Sequence, residues 1–235
     1  MSLNSAFPID KWKFKSEFLL KSLPSEELEM LLANRSEQVY SRGEVIFREN
    51  AIPSGIFYVS EGKVKKYKAD KNGKEQIIYV ATAGELIGYH AVLEEGRYPD
   101  SAAPLEKSKI SFIPKEDFFA ALQKSQVLNG LLLKMLSHEF AVLVNIISLL
   151  TQKSARERLA VQLIVLREKY KLDAHVGKIV DINITRSDLA NLVGTARENV
   201  VRLLSEFKEE GIVTTTGRKI QVNGSDRLLR IANIS

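Results

Sequence analysis

The sequence predicts an α+β chain: an N-terminal β-roll of double-stranded jelly-roll type, a long dimerisation helix and a C-terminal winged helix-turn-helix. Three observations predict this. Between Gln38 and about Ile113, short β-rich runs alternate with glycine turns. Toward residue 152 the chain becomes almost wholly apolar at helical spacing. Beyond it, two short helical patterns meet at Gly194 and a β-hairpin follows. The expected division is 1–125 for the roll with its flanking helices, 126–153 for the long helix and hinge, and 154–235 for the winged helix-turn-helix.

Residues 8–35 read as short helices. In "LPSEELEMLL", Pro24 precedes acids in a first turn and leucines at helical spacing. Strand signals follow in "EVIF", "GIFYVSEGKVKKYKA", "KEQIIYVATAGELIG" and "SKISFIP". The two alternating runs around Asn72-Gly73 form a hairpin. Residues 115–152 turn helical again. In "LNGLLLKMLSHEFAVLVNIISLLTQ", Lys134, His138, Asn145, Ser148 and Gln152 form one narrow polar stripe. A helix apolar over most of its circumference is buried on more than one side. One side covers the roll. The other, along Leu132, Leu136, Leu143, Ile146 and Leu150, suits a partner helix, so a homodimer is expected. The longest apolar stretch, Phe140 to Leu150, is interrupted by Asn145 and Ser148 and reads as too short to span a bilayer. The N-terminal twenty residues lack the basic and apolar regions of a signal peptide. No membrane association and a cytoplasmic location are expected.

Ser154-x-x-Glu157 is a capping-box pattern that opens a new helix, which places a hinge at about 151–154. Charge shifts here too. Residues 154–235 hold 14 Lys and Arg against 10 Asp and Glu; residues 1–153 hold 20 against 19. The net charge of +5 therefore sits mostly in the last third, a hint of a polyanionic partner.

"ITRSDLANLVGTARENVVRLLSEFKEEGIV" reads as helix, tight turn, helix. The first helix starts after Thr185. Gly194 breaks it, Thr195 caps the second, and Gly211 ends it. On a wheel counted from Arg197, the core residues Val200, Leu203, Leu204 and Phe207 fall between about 240° and 340°. Arg197, Val201, Glu198 and Arg202 fall between about 0° and 140°, on the outer face near the N-terminus. A recognition helix offers that part to base edges in the major groove. Arginine reads guanine, glutamate accepts from cytosine, and Val201 suits a thymine methyl. Glu198 also has two ordinary readings, as capping-box partner of Thr195 or i,i+4 partner of Arg202. The hairpin "GIVTTTGRKIQVNG", joined at Gly217-Arg218-Lys219, makes a wing with a basic tip for phosphates. Double-stranded DNA is the expected partner.

Composition excludes other chemistries. At 45% apolar and 27% charged, the chain can bury a core. Without cysteine there is no disulfide, thiolate catalysis or cysteine-ligated cluster. No nucleophile motif, phosphate loop, zinc spacing or dinucleotide turn is present, so no enzyme, metal or cofactor is expected. His90 is the one haem-ligand candidate in the roll; His138 and His175 lie far from it in sequence.

From the roll, the long helix and above all the helix-turn-helix with its "TGRKI" wing, the chain resembles the Crp/Fnr family of bacterial transcription regulators over nearly its whole length. Members with Arg-Glu-x-x-x-Arg at this place read a TGTGA-type half-site, which Arg197, Glu198 and Arg202 match. The resemblance implies a palindrome of such half-sites, backbone contacts from Arg186, Thr195, Asn199 and Arg218, and RNA polymerase as a partner of an activator. Lys219 is a further phosphate contact at the wing. Val201 departs from the small residue usual there, which bears on the middle base pairs.

The cyclic-AMP-binding members carry Gly-Glu-Leu and a later Arg-Ser in the roll. Here the motif glycine falls on Gly88, followed by Tyr89 and His90, and Arg-Ser becomes Asp100-Ser101. An acid in place of the phosphate-binding arginine repels an anion. The nucleotide-facing hydroxyls of the long helix become Leu143 and Val144, and Arg97 is the cation left to swing inward. An effector other than cyclic AMP, or none, is expected. The alternative function is an effector-sensing roll that works through protein partners without DNA.

Overall fold

In a computed structural model of the chain, residues 7–14, 16–171 and 180–234 are described. His175 and the first six residues lie outside them. The chain divides into two compact units, Phe14–Phe140 and Met1–Lys13 with Ala141–Ser235. The division falls within the long helix.

The first unit is the expected roll. Helices α1 (Glu17–Ser22) and α2 (Ser25–Leu32) lead into it, the latter starting after Pro24. Strands β1 (Ser36–Tyr40), β2 (Gly55–Glu61), β3 (Lys63–Ala69) and β4 (Glu75–Thr82) come first. β5 (Leu86–Ile87), helix α3 (Tyr89–Leu93), β6 (Ser101–Pro104), β7 (Ser108–Pro114) and helix α4 (Lys115–Lys124) complete it. One sheet has the order β1-β7-β2-β5 and the other β4-β3-β6. β2 passes to the second sheet through Gly62, at φ 89°, where an added Cβ would lie 2.3 Å from the Ser108 hydroxyl. The Asn72-Gly73 turn closes β3 on β4, with Asp70 Oδ1 accepting from the amides of Asn72 and Lys74.

"EVIF" does not form a strand. Its only pairing among the described residues is one bridge, Phe47 to Ala102. Asn50, at φ 67°, then turns the chain away. Ala102 instead belongs to β6, a strand the composition "SAAP" did not announce, paired to β3.

Helix α5 runs from Gln126 to Gln152. Leu128, Leu132 and Met135 enter the roll core with Leu31, Ile56, Leu86, Tyr89, Val92, Ile113 and Phe118. Two residues of the expected partner seam face the roll of the same chain. Leu132 is 4% exposed and already buried against its own roll, and Leu136 packs on the same cluster. Ile146 and Leu150 are partly buried, and Leu143 is exposed. The solvent-facing apolar ridge is turned by about one residue, to Leu133 (67% exposed), Phe140 (70%), Leu143, Val144 and Ile147 (61%). The stretch Phe140 to Leu150 lies within a longer apolar helix, of a kind that core helices also form. α5 has 27 residues, and by length and composition alone it could cross a membrane. Yet it carries Glu139, buried and 2.7 Å from His90 Nε2.

In the second unit, α6 (Ala155–Lys171) opens on the expected capping box. Ser154 N donates to Glu157 Oε2 at 2.8 Å, and Glu157 N donates to Ser154 Oγ at 3.3 Å. Then follow β8 (Asp181–Asn183), α7 (Arg186–Val193), α8 (Arg197–Glu209), β9 (Val213–Thr216), β10 (Lys219–Val222) and α9 (Ser225–Ala232). The three strands pair in the order β8-β10-β9.

Candidate nucleic-acid interface

α7 and α8 form the helix-turn-helix. Thr185 caps α7, its Oγ1 accepting from Asp188 N at 3.0 Å. Gly194 ends α7 in the left-handed region, φ 72°, where a side chain would be strained. The cap of α8 differs from expectation. Ala196, not Thr195, is the N-cap, and no side chain caps it. The Thr195 hydroxyl is taken by Asn199, whose Nδ2 donates to it at 2.9 Å.

The two faces of α8 are those the wheel predicts. Val200, Leu203, Leu204 and Phe207 are buried; Arg197, Glu198, Val201 and Arg202 are exposed. Arg197 and Glu198 make no side-chain hydrogen bond or ion pair with the described residues, so neither ordinary reading of Glu198 holds there. Arg202 pairs forward instead. Its Nη1 donates to Glu206 and its Nη2 to Asn199 Oδ1 at 2.7 Å.

The wing turn is two residues long, Gly217 and Arg218, because Lys219 pairs with Thr216 inside the hairpin. Arg218 is exposed at the tip. Lys219 is held instead by Asp181 Oδ2 at 2.8 Å, while Gln221 donates to Asp181 Oδ1 at 2.7 Å. These bonds hold the Asp181 carboxyl below the usual range, Lys219 contributing most. Arg186 is half-buried and donates to the wing-tip carbonyl of Gly217 at 3.2 Å. Of the expected phosphate contacts, Arg218 therefore points outward. Thr195, Asn199, Arg186 and Lys219 are engaged inside the domain.

Sequence reading missed the groups behind α8. Arg156, in the first turn of α6, donates to Glu206 Oε2 at 2.9 Å and to both Glu210 carboxylate oxygens at 2.6 and 2.8 Å. Its guanidinium lies 4.7 Å from the Phe207 ring centroid. Arg158 donates to the carbonyls of Val193 at 2.8 Å and Gly194 at 3.1 Å, in the turn, and of Lys153 at 2.8 Å, just before α6. Arg202 takes Glu206 at i,i+4 in place of the expected Glu198, and the partners about 35 to 54 positions away were not legible either.

The expected effector residues do not converge on an open anion site. Asp100 is buried and paired with Lys66 of β3 at 3.0 Å. Ser101 Oγ accepts from Glu49 N at 2.9 Å. Arg97 is exposed and donates to the Asn50 carbonyl at 2.7 Å, rather than swinging inward. Gly88 is buried, and a Cβ there would meet the rings of Tyr98, Phe47 and Phe57 at 3.2 to 3.5 Å. Tyr89 lies in the roll core, where burial foremost and the nearby Glu139 carboxylate push its hydroxyl pKa far up. His90 faces Glu139. Leu143 and Val144 belong to the other unit and are exposed on α5.

A roll followed by a winged helix with an exposed, charged outer face defines a DNA-binding regulator. Comparison with known proteins places it further. Residues 37–125 match the cyclic nucleotide-binding domain, and residues 157–231 match the Crp-like helix-turn-helix domain. The chain is 28% identical over 213 residues to the fumarate and nitrate reduction regulatory protein of Salmonella typhimurium, covering 90% of this chain and 84% of that one. Its fold is similar to that of FixK2 from Bradyrhizobium japonicum, with a TM-score of 0.76 at 23% identity over 86% of this chain and 98% of the other. A Crp/Fnr-family transcriptional regulator from Eubacterium rectale matches at a TM-score of 0.71 and 20% identity, over 92% and 98%. The chain belongs to the Crp/Fnr family of transcription regulators, which bind DNA and work as dimers. The match supports the DNA-binding reading and not a roll acting through protein partners alone.

Proposed function

We propose that the protein is a cytoplasmic homodimer that reads a two-fold palindrome of TGTGA-like half-sites in double-stranded DNA, without needing cyclic AMP. The observation that carries this reading is the outer face of α8, where Arg197, Glu198, Val201 and Arg202 are exposed over a buried opposite face. The two arginines suit guanine O6 and N7, Glu198 a cytosine amino group, and Val201 a thymine methyl. Arg218 at the wing tip suits a phosphate, a contact that positions without reading sequence. In a dimer, two such helices reach successive major grooves about 34 Å apart. Where the protein activates transcription, RNA polymerase is the further partner.

Independence from cyclic AMP is supported by the roll interior. At the place where the resemblance puts the phosphate-binding arginine stands Asp100, its charge already matched by Lys66. Around Gly88 the space is packed by aromatic rings.

Binding-site selection from random duplexes, with wild type and Arg202→Ala side by side and no ligand, tests the reading. A TGTGA-like palindrome is expected from wild type, with one G·C position relaxed in the variant at a cost of about 1–3 kcal/mol. No enrichment at low salt would overturn the DNA reading, and enrichment only with added cyclic AMP would overturn the independence from that nucleotide.

A further inference from the structure

Resting on the DNA-binding reading above, we infer that Glu206 is a specificity-determining residue: it holds Arg202 in its base-reading position and is itself locked from behind by Arg156. Four links support this. Arg202 is fixed by two acceptors, Glu206 and Asn199 Oδ1, the latter at 2.7 Å. Asn199 is fixed in turn by Thr195 Oγ1 at 2.9 Å. The second Glu206 oxygen accepts from Arg156 at 2.9 Å. Arg156 is immobilised by two bonds to Glu210, at 2.6 and 2.8 Å, and by its position over buried Phe207.

The chemistry allows Arg202 to read a base without breaking this chain. A guanidinium has five N–H donors, and two are used here. Three remain, enough for a bidentate contact to guanine. An arginine frozen before binding loses less rotamer freedom when it meets its base. The carboxylate also faces a polyanion on every duplex, which weakens all sites alike. The buttress strengthens only sites that offer Arg202 its guanine. The uniform weakening leaves the gap between specific and non-specific binding unchanged; the buttress widens it, and that gap is the quantity a regulator needs.

A double-mutant cycle tests it: wild type, Glu206→Gln, Arg202→Ala and the double variant. Each is titrated against the selected duplex and against one with the Arg202-read G·C pair replaced. Glu206→Gln, nearly isosteric, is expected to lose roughly ten-fold of the discrimination at that pair, leaving the other positions unchanged. In the Arg202→Ala background it should cause no further loss of discrimination. Arg156→Ala should reproduce part of the effect by freeing Glu206. The inference is overturned if Glu206→Gln shifts all duplexes equally, or if its effect on discrimination survives without Arg202. If wild type itself selects no site, the DNA-reading proposal fails. If Arg202→Ala relaxes one position and Glu206→Gln relaxes none, only the role of Glu206 fails.

Discussion

Lys66 and Asp100 lie 3.0 Å apart with side chains only 10% and 8% exposed. Each charge taken from water costs several kcal/mol and is tolerated because the other matches it. Removing one leaves the other uncompensated. Asp100→Ala should therefore destabilise the roll by about 3 kcal/mol, whereas Lys66→Met with Asp100→Leu should stay within about 1 kcal/mol of wild type. Urea unfolding followed by circular dichroism measures both. Equal losses in the two variants would mean the pair is incidental. Asp100 stands out in the sequence as an acid where the resemblance puts a phosphate-binding arginine. Its partner was not, because Lys66 is one of several lysines in "KVKKYK" and only the strand register aims it inward.

At the scale of elements, the join between the long helix and α6 rests on Ser154 and Glu157, each bonded to the other's amide. Ser154→Ala removes one of these and should cost about 1 kcal/mol, seen as faster hydrogen exchange in the first turn of α6. The bonds to Ser154 hold the Glu157 carboxyl below its ordinary value. The sign follows. The unfolded carboxyl takes up a proton at a higher pH than the folded one, so this stabilisation is complete above the ordinary glutamate range. It fades as pH falls through the lower folded value. The exchange difference between wild type and Ser154→Ala should thus be full at pH 7 and shrink in acid; a difference that grows in acid would contradict the assignment. Arg158 works at the same scale, bonding carbonyls at the end of the long helix and in the helix-turn-helix turn.

For the whole molecule, α5 divides its apolar residues between two tasks. Leu132 serves the roll core, while Leu133, Phe140 and Ile147 recur on the open side at steps of seven. Phe140→Asp places a charge in that ridge. It should convert the dimer to monomer in sedimentation at micromolar protein, and lower affinity for the palindrome to that of one half-site. Leu132→Ala should instead cost the roll about 3 kcal/mol and leave the dimer intact. If Leu132→Ala dissociates the dimer and Phe140→Asp does not, the seam lies where the heptad of the sequence first put it.

Signals that act over a few residues were legible in the chain. Gly194 and Gly211 end their helices at positive φ, the Asn72-Gly73 hairpin closes, and the Ser154–Glu157 box forms. Each depends on backbone sterics or a hydrogen bond three or four positions away. The inner and outer faces of α8 follow from helical period alone, which sets Arg197, Glu198, Val201 and Arg202 opposite the buried side. The tertiary structure decided what lies opposite each side chain. It put Asp181 against Lys219, Asn50 against Arg97, Glu139 against His90 and Arg156 behind Glu206. It also turned the ridge of α5 by one position and reduced "EVIF" to a single bridge. These partners are distant in sequence, and no local rule selects among the many charges of suitable sign. Which ones meet is set by strand register and helix packing, which exist only once the chain has folded.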